Sequence, residues 1–185
     1  MIKRIFDLFL SILLLLIFSP ILIILCCLIY IDNPGPIFFS QNRIGKNGKI
    51  FRFYKLRSMK INSEKNGHIF TLENDKRVTK FGKFIRKTSL DELPQLVNVI
   101  IGDMSVVGPR PDVPEQRKLY SENDWNLRNS FQPGITGLAQ SINRNSGTLK
   151  QRLKLDLFYI KKSNILLDMK IICLTIKQIF SKGSF

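Results

Sequence analysis

The sequence predicts an α+β chain, mainly helical, whose N-terminal helix sits in a membrane and whose remainder forms a small helical domain with one short β-hairpin. Three observations point there. Residues 8–31, LFLSILLLLIFSPILIILCCLIYI, contain no charge. Asn47-Gly48 separates two runs rich in aromatic and β-branched residues, the composition of a hairpin turn and its strands. Near the C-terminus, Ile165, Met169, Ile172, Ile176 and Ile179 recur at helical spacing.

As one helix, 8–31 extends about 36 Å, enough to cross a bilayer. It is too long for a cleaved signal, and no small-residue cleavage pattern follows. Lys3 and Arg4 precede the run, and Arg43, Lys46, Lys49, Arg52, Lys55, Arg57 and Lys60 follow it, so both flanks carry the charge that keeps a segment cytoplasmic. At the middle, Pro20 has no N–H for the carbonyl of Leu16 and bends the helix, while the Ser19 hydroxyl is placed to satisfy that carbonyl. A kinked span and a helix that breaks at Ser19-Pro20 and returns to the same face are level on charge and kink alone. The breaker DNPGP at 32–36 then divides a membrane segment, 1–31, from a cytosolic part, 32–185.

In the hairpin, period-two geometry puts Lys55 and Arg57 on one face of the second strand with Phe51 and Phe53. Two cations there suit a phosphate; a solvated edge guarded by cations is the equal alternative. Residues 62–75 are polar and read as a loop. RKTSLDELPQL follows, with Asp91 beside Glu92. Ser89 and Glu92 spell a capping box, but Pro94 favours a helix start nearer Asp91, which would make Asp91 itself the cap. Capping is the commoner use of such acids. The helix that follows should stop at Gly102. GPRPDVP brackets Arg110 between prolines, which reduces the entropy lost when its guanidinium grips an anion; a stiff turn is the plainer reading. Residues 131–140 form another Gly/Pro loop, followed by Arg144. The last helix carries Lys170, Lys177 and Gln178 opposite its apolar stripe, and it either lies in the headgroup plane or packs on the chain's own core.

Composition narrows the partners. Lys and Arg number 29 against 14 Asp and Glu, a net charge of +15, so the partner is anionic: nucleic acid, acidic membrane or phosphorylated substrate. No nucleic-acid motif is visible and the membrane run argues against that class. Cys26, Cys27 and Cys173 lie in apolar runs without metal-ligand spacing, and there is one histidine, His68. Any metal is therefore a hard cation held by oxygen, Mg²⁺ by default. A scaffold that merely holds anionic lipid would leave Asp91 and Glu92 dispensable.

The Ser19-Pro20 break, PGPIFFSQNRIGKNGKIFRFYKLRSM, RKTSLDELPQLVNVIIGDMSVVGPRP, PGITGLAQ and KLDLFYIKK together resemble the bacterial sugar transferase family, the small monotopic phosphoglycosyl transferases. The likeness runs from Lys3 to about Phe180. It implies the re-entrant topology, interfacial helices, and an active site on the cytoplasmic face of the bacterial inner membrane. It implies that a sugar 1-phosphate passes from a UDP-sugar to a polyprenyl phosphate, undecaprenyl phosphate foremost, with release of UMP, as the first membrane step of glycoconjugate or surface polysaccharide synthesis. By the same resemblance Asp91 is the nucleophile that carries the phosphosugar, and Glu92 with Asp91 serves Mg²⁺. Lys55, Arg57, Arg86, Arg110 and Arg144 become candidate phosphate contacts, and Asp156 a further substrate contact. One departure is Asn143, where the family tends to have glycine; Asn tolerates a left-handed backbone better than most residues.

Overall fold

The computed structural model describes residues 1–61, 63, 75–143 and 147–182. The stretch read as a polar loop lies outside them except at 63 and 75, as does Arg144. Helix α1 runs Ile2–Asp32 with Pro20 inside it. The Ser19 hydroxyl donates to the Leu16 carbonyl at 2.9 Å, as the missing amide of Pro20 leads one to expect.

Both ends of α1 rest on the same folded body. At its start, Arg4 donates to the carbonyls of Val99 and Ile100, and Asp7 accepts from the Ser105 hydroxyl at 2.8 Å and the Val106 amide at 3.2 Å. Lys3 donates to the Val107 carbonyl and to Asp168, the latter at 2.6 Å. At its far end, Leu25 and Ile29 are buried against Leu56 and Ile85. Between Ser11 and Leu25 no residue is buried. The polar docking at the start went unread because Asp7 lies just upstream of the charge-free run.

Strands β1, Phe38–Ile44, and β2, Ile50–Leu56, pair antiparallel, with Ile44 opposite Ile50. Asn47 and Gly48 both take positive φ, 56° and 77°, as a mirror-image turn requires. Helix α2, Lys80–Lys87, begins at Thr79, whose hydroxyl accepts from the Gly82 amide. Helix α3, Gln95–Ile101, stops as expected at Gly102, φ 105°. Next come β3, Ser105–Val107, a 3₁₀ segment Pro114–Leu119, α4, Glu122–Asn129, β4, Gly134–Thr136, α5, Leu138–Asn143, α6, Leu149–Lys162, and α7, Ile165–Lys182.

The parallel pair β3·β4 was not legible in the sequence, since 131–140 reads only as a Gly/Pro loop. The glycines explain it: a Cβ on Gly134 would lie 2.0 Å from the Gly108 nitrogen, so only bare backbone fits where the two strands pass. One core gathers Phe51, Phe53, Val99, Met104, Val106, Val107, Leu138, Tyr159 and Ile171. Helix α7 does not bury the stripe its periodicity picks out. Asp168 and Ile171 are buried, whereas Met169 and Ile176 are exposed along with Leu166 and Phe180. Asp168 turns inward because Lys3 and the Tyr159 hydroxyl meet it at 2.6 and 2.7 Å, a polar partner set that a count of apolar residues misses.

Candidate active site

Asp91 and Glu92 lie in a single 3₁₀ turn, Leu90–Glu92, entered through Ser89 in the left-handed conformation, φ 58°. Neither Ser89 nor Asp91 caps a helix: Ser89 makes no side-chain cap, and α3 begins only after Pro94. The capping expectation fails because Pro94 suits the entry to a helix better than its second turn. Leu90 packs into the cluster of Leu25, Ile29, Leu56 and Ile85, which seats the turn directly on the far arm of α1. Asn98 fixes the other side. Fully buried, it accepts from the Tyr54 amide and donates to the Arg52 carbonyl at 2.7 Å. That pair of bonds closes the free edge of β2 and brings Lys55 beside the carboxylates.

Asp91 is only 5 % exposed, and among the described residues no group donates a hydrogen bond to its carboxylate. Burial and then the neighbouring Glu92 charge push its pKa up to about 6, against the pull of Lys55, Arg86 and Arg110. Burial lowers Lys55 to about 8, with Asp91 the main counterweight. Glu92 behaves oppositely to Asp91: burial would raise it, but Arg110, Lys55 and Gln95 together hold it below its ordinary value. Arg110 donates to Glu92 Oε1 at 2.8 Å. Adjacent acids are thus driven apart, one toward neutrality and one toward permanent charge, the pattern by which sites assign distinct roles to like groups.

The loop that presents Arg110 is held at every carbonyl from 109 to 112. The Pro109 carbonyl accepts from the Gly134 amide at 2.9 Å and that of Arg110 from Arg128 at 2.7 Å. The Pro111 carbonyl accepts from Arg43 at 3.0 Å and that of Asp112 from the Ile44 amide at 2.9 Å. Arg43 also lies over the Phe53 ring, 5.2 Å from its centroid.

Lys55, Arg86 and Arg110 therefore gather with Asp91 and Glu92, as the sequence led one to expect. Arg57 does not: β2 ends at Leu56, and Arg57 turns away to donate to the Asn33 carbonyl at the exit of α1. Asp156 also lies elsewhere, buried and paired with Arg128 at 2.9 Å. Sequence reasoning passed over Gln95, Asn98, Arg43, Arg128 and Asp112. Gln95 and Asn98 leave a signal, two amides at helical spacing in the apolar stretch LPQLVNVII. Gln95 is fully buried and close enough to help hold Glu92, yet its Nε2 has no partner at hydrogen-bonding distance among the described residues. A cavity of about 290 Å³ between the hairpin tip and α4, lined by Asn47, Gly48, Trp125, Asn126 and Asn129, contains none of these charged groups.

Among the described residues no three acidic, His or Cys residues cluster. The two carboxylates still fit Mg²⁺, which keeps several waters and takes one or two carboxylates together with substrate phosphates.

A family model described as bacterial sugar transferase matches residues 1–182. Galactosyl transferase CpsE of Streptococcus agalactiae is 49% identical over 159 residues, 80% of this chain and 35% of its own length. A UDP-glucose:undecaprenyl-phosphate glucose-1-phosphate transferase of Klebsiella pneumoniae is 41% identical over 99% of this chain and 41% of its own. This chain thus spans well under half of those two relatives. It matches exopolysaccharide production protein PSS of Rhizobium leguminosarum bv. phaseoli nearly end to end, 40% identical over 98% of this chain and 96% of that protein.

Proposed function

The chain belongs to the bacterial sugar transferase family, and on that footing we propose that it transfers a sugar 1-phosphate from a UDP-sugar to a membrane polyprenyl phosphate, releasing UMP. The names of several relatives, which specify UDP-sugars and undecaprenyl phosphate, support the substrate classes. The observation that carries the reading is the divided carboxylate pair: Asp91 buried, raised and without a hydrogen-bond donor among the described residues, beside Glu92 locked by Arg110. A carboxylate stripped of hydration and of hydrogen bonds is a better nucleophile than a solvated one.

Ionised Asp91 attacks the sugar-bearing phosphorus. The bond from that phosphorus to the oxygen bridging to the UMP phosphate breaks, and UMP leaves with the electron pair. The result is an aspartyl phosphosugar. An oxygen of the lipid phosphate then attacks the same phosphorus, the aspartyl bond breaks, and Asp91 recovers its carboxylate. Both nucleophiles and the first leaving group are anions near neutrality, so no proton need be moved. Lys55 and Arg110 hold phosphate oxygens against the charge that builds there. Asp91 and Glu92 would hold Mg²⁺, which would supply further neutralisation of the diphosphate.

The topology follows the same logic. Both arms of α1 dock on the body that carries the site while its middle stays uncovered, which supports a re-entrant helix whose apex dips into the bilayer from the cytoplasmic face. The site then lies at headgroup depth, where a lipid phosphate meets a cytosolic nucleotide sugar. The test is UMP release by purified protein with polyprenyl phosphate, Mg²⁺ and a panel of UDP-sugars. Sustained turnover with at least one UDP-sugar, dependent on the lipid, is expected; no UMP from any of them would reject the reaction.

A further inference from the structure

We propose that Arg128 is a positioning residue for Arg110, setting the direction in which Arg110 reaches Glu92. The inference deepens the reading of the site given above and rests on it for its kinetic readout alone.

Arg128 is 5 % exposed and uses its whole guanidinium. Nε donates to Asp156 on α6 at 2.9 Å, NH1 to Asp112 at 2.5 Å, and NH2 to the backbone carbonyl of Arg110 at 2.7 Å. The Tyr120 ring lies 5.5 Å from it. A buried ion pair is weak evidence for stability, because desolvation cancels much of the attraction, so the direction of these bonds is the more informative feature.

The third bond has a particular consequence. The peptide group joining Arg110 to Pro111 has no N–H, since its nitrogen belongs to proline. Its carbonyl is then its only polar handle, and Arg128 holds that handle. The residue before a proline is already restricted to extended backbone, so fixing this peptide plane leaves the Arg110 side chain little choice of departure. Asp112 and Asp156 hold the Arg128 fork in its plane from two further segments. A lysine at 128 would keep a positive charge for the two acids but has no planar fork to reach three acceptors.

The experiment follows the Arg110 guanidinium directly, by its ¹⁵N–¹H NMR signals in the labelled full chain at one fixed pH, in wild type, Arg128→Lys, and Val99→Ala as a core variant outside the hydrogen bonds of the fork. If Arg128 aims Arg110, the Arg110 signals move toward those of a free guanidinium and lose protection from hydrogen exchange in Arg128→Lys, and are unmoved in Val99→Ala. Kinetically, kcat/KM for UMP release falls roughly 10- to 100-fold in Arg128→Lys, and adding Arg110→Lys costs less than about a further twofold, because both changes remove one function. Unmoved Arg110 signals, or losses that multiply in the double variant, would make Arg128 a structural tie only and overturn the proposal. Should Arg128→Lys fail to fold, Asp156→Asn releases one side of the fork, and the same signals decide: a partial shift of Arg110 supports the proposal, no change overturns it. A wild type that releases no UMP rejects the reaction while leaving the Arg110 signals to judge Arg128.

Discussion

Two buried groups of charge flank Arg110, and they are finished to different degrees. Around Arg128, every guanidinium nitrogen has an acceptor, and Asp112 and Asp156 each meet it within 2.9 Å. Around Asp91, Lys55, Arg86 and Arg110 stand near enough to act on the carboxylate, yet none donates to it at hydrogen-bonding distance. The first group spends its charges on one another and is architecture. The second leaves the Asp91 carboxylate desolvated and, among the described residues, without a hydrogen-bond donor, which is the state a site needs if a phosphate is to complete it. The difference teaches that burial alone does not mark a reactive charge; burial with incomplete pairing does.

The contrast breaks most visibly when one acid of each group is made neutral. Asp91→Asn should lower UMP release by at least roughly 10³-fold, since an amide is no substitute for a carboxylate nucleophile. It should at the same time stabilise the fold at pH 7. The sign follows from linkage. The folded-state pKa of Asp91 lies above its ordinary 3.8, so its cost is absent below about pH 4, grows between about 4 and 6, and is constant above. Removing the charge should return roughly 1–3 kcal/mol at pH 7 and almost nothing at pH 3.5. Burial raises the Asp112 carboxyl as well, against the pull of Arg128, but Asp112→Asn should still destabilise, by roughly 3 kcal/mol, because it leaves the buried Arg128 guanidinium short of a partner. Thermal melts of the two variants at both pH values check this; the same sign for both would erase the distinction.

Arg110→Lys comes next in size. It keeps the charge but loses the planar contact to Glu92, and kcat/KM should fall roughly 10- to 100-fold, while Arg52→Lys on the exposed strand face should change it less than about twofold. Equal effects would return Arg110 to a stiff turn between prolines.

The pH profile sharpens the comparison further. Asp91 must be ionised and Lys55 protonated, so kcat/KM should rise with pH up to about 6 and fall beyond about 8. Lys55→Arg should remove the upper limb, because arginine keeps its charge there. An upper limb unchanged by that substitution would assign it to another group.

How much of this was readable beforehand depends on the kind of signal. The hairpin, the Gly102 stop, the Ser19 bond to the Leu16 carbonyl and the gathering of Lys55, Arg86 and Arg110 at the acids are local or motif-borne, and they were legible; the break expected at Ser19-Pro20 is not among them, since α1 is one helix through Pro20. The β3·β4 pair, the inward turn of Asp168 and the Arg128 fork depend on partners far along the chain, such as Asp156 against Arg128. No spacing rule encodes them. Arg57 misled because period two assumes the strand continues, and β2 ends one residue earlier.

The smallest expected effect concerns α1. In a background lacking the three native cysteines, a cysteine at the exposed Ile2 and another at Gly48 should both escape an impermeant reagent added to intact cells. Pro20→Ala restores the amide for Leu16 and should make a minor fraction of the Ile2 site reactive. Full labelling at Ile2 without the proline change would establish a span in place of the re-entrant helix.

The central claim is that Asp91 itself carries the phosphosugar, and the most direct measurement omits the lipid acceptor. Wild-type protein is incubated with Mg²⁺ and the UDP-sugar it turns over, quenched, digested and weighed. The account predicts a mass increase of one sugar phosphate on the peptide containing SLDEL, about one UMP released per enzyme, and neither in Asp91→Asn. An unmodified peptide, with UMP appearing only once the polyprenyl phosphate is added, would contradict it and require direct transfer between the two substrates.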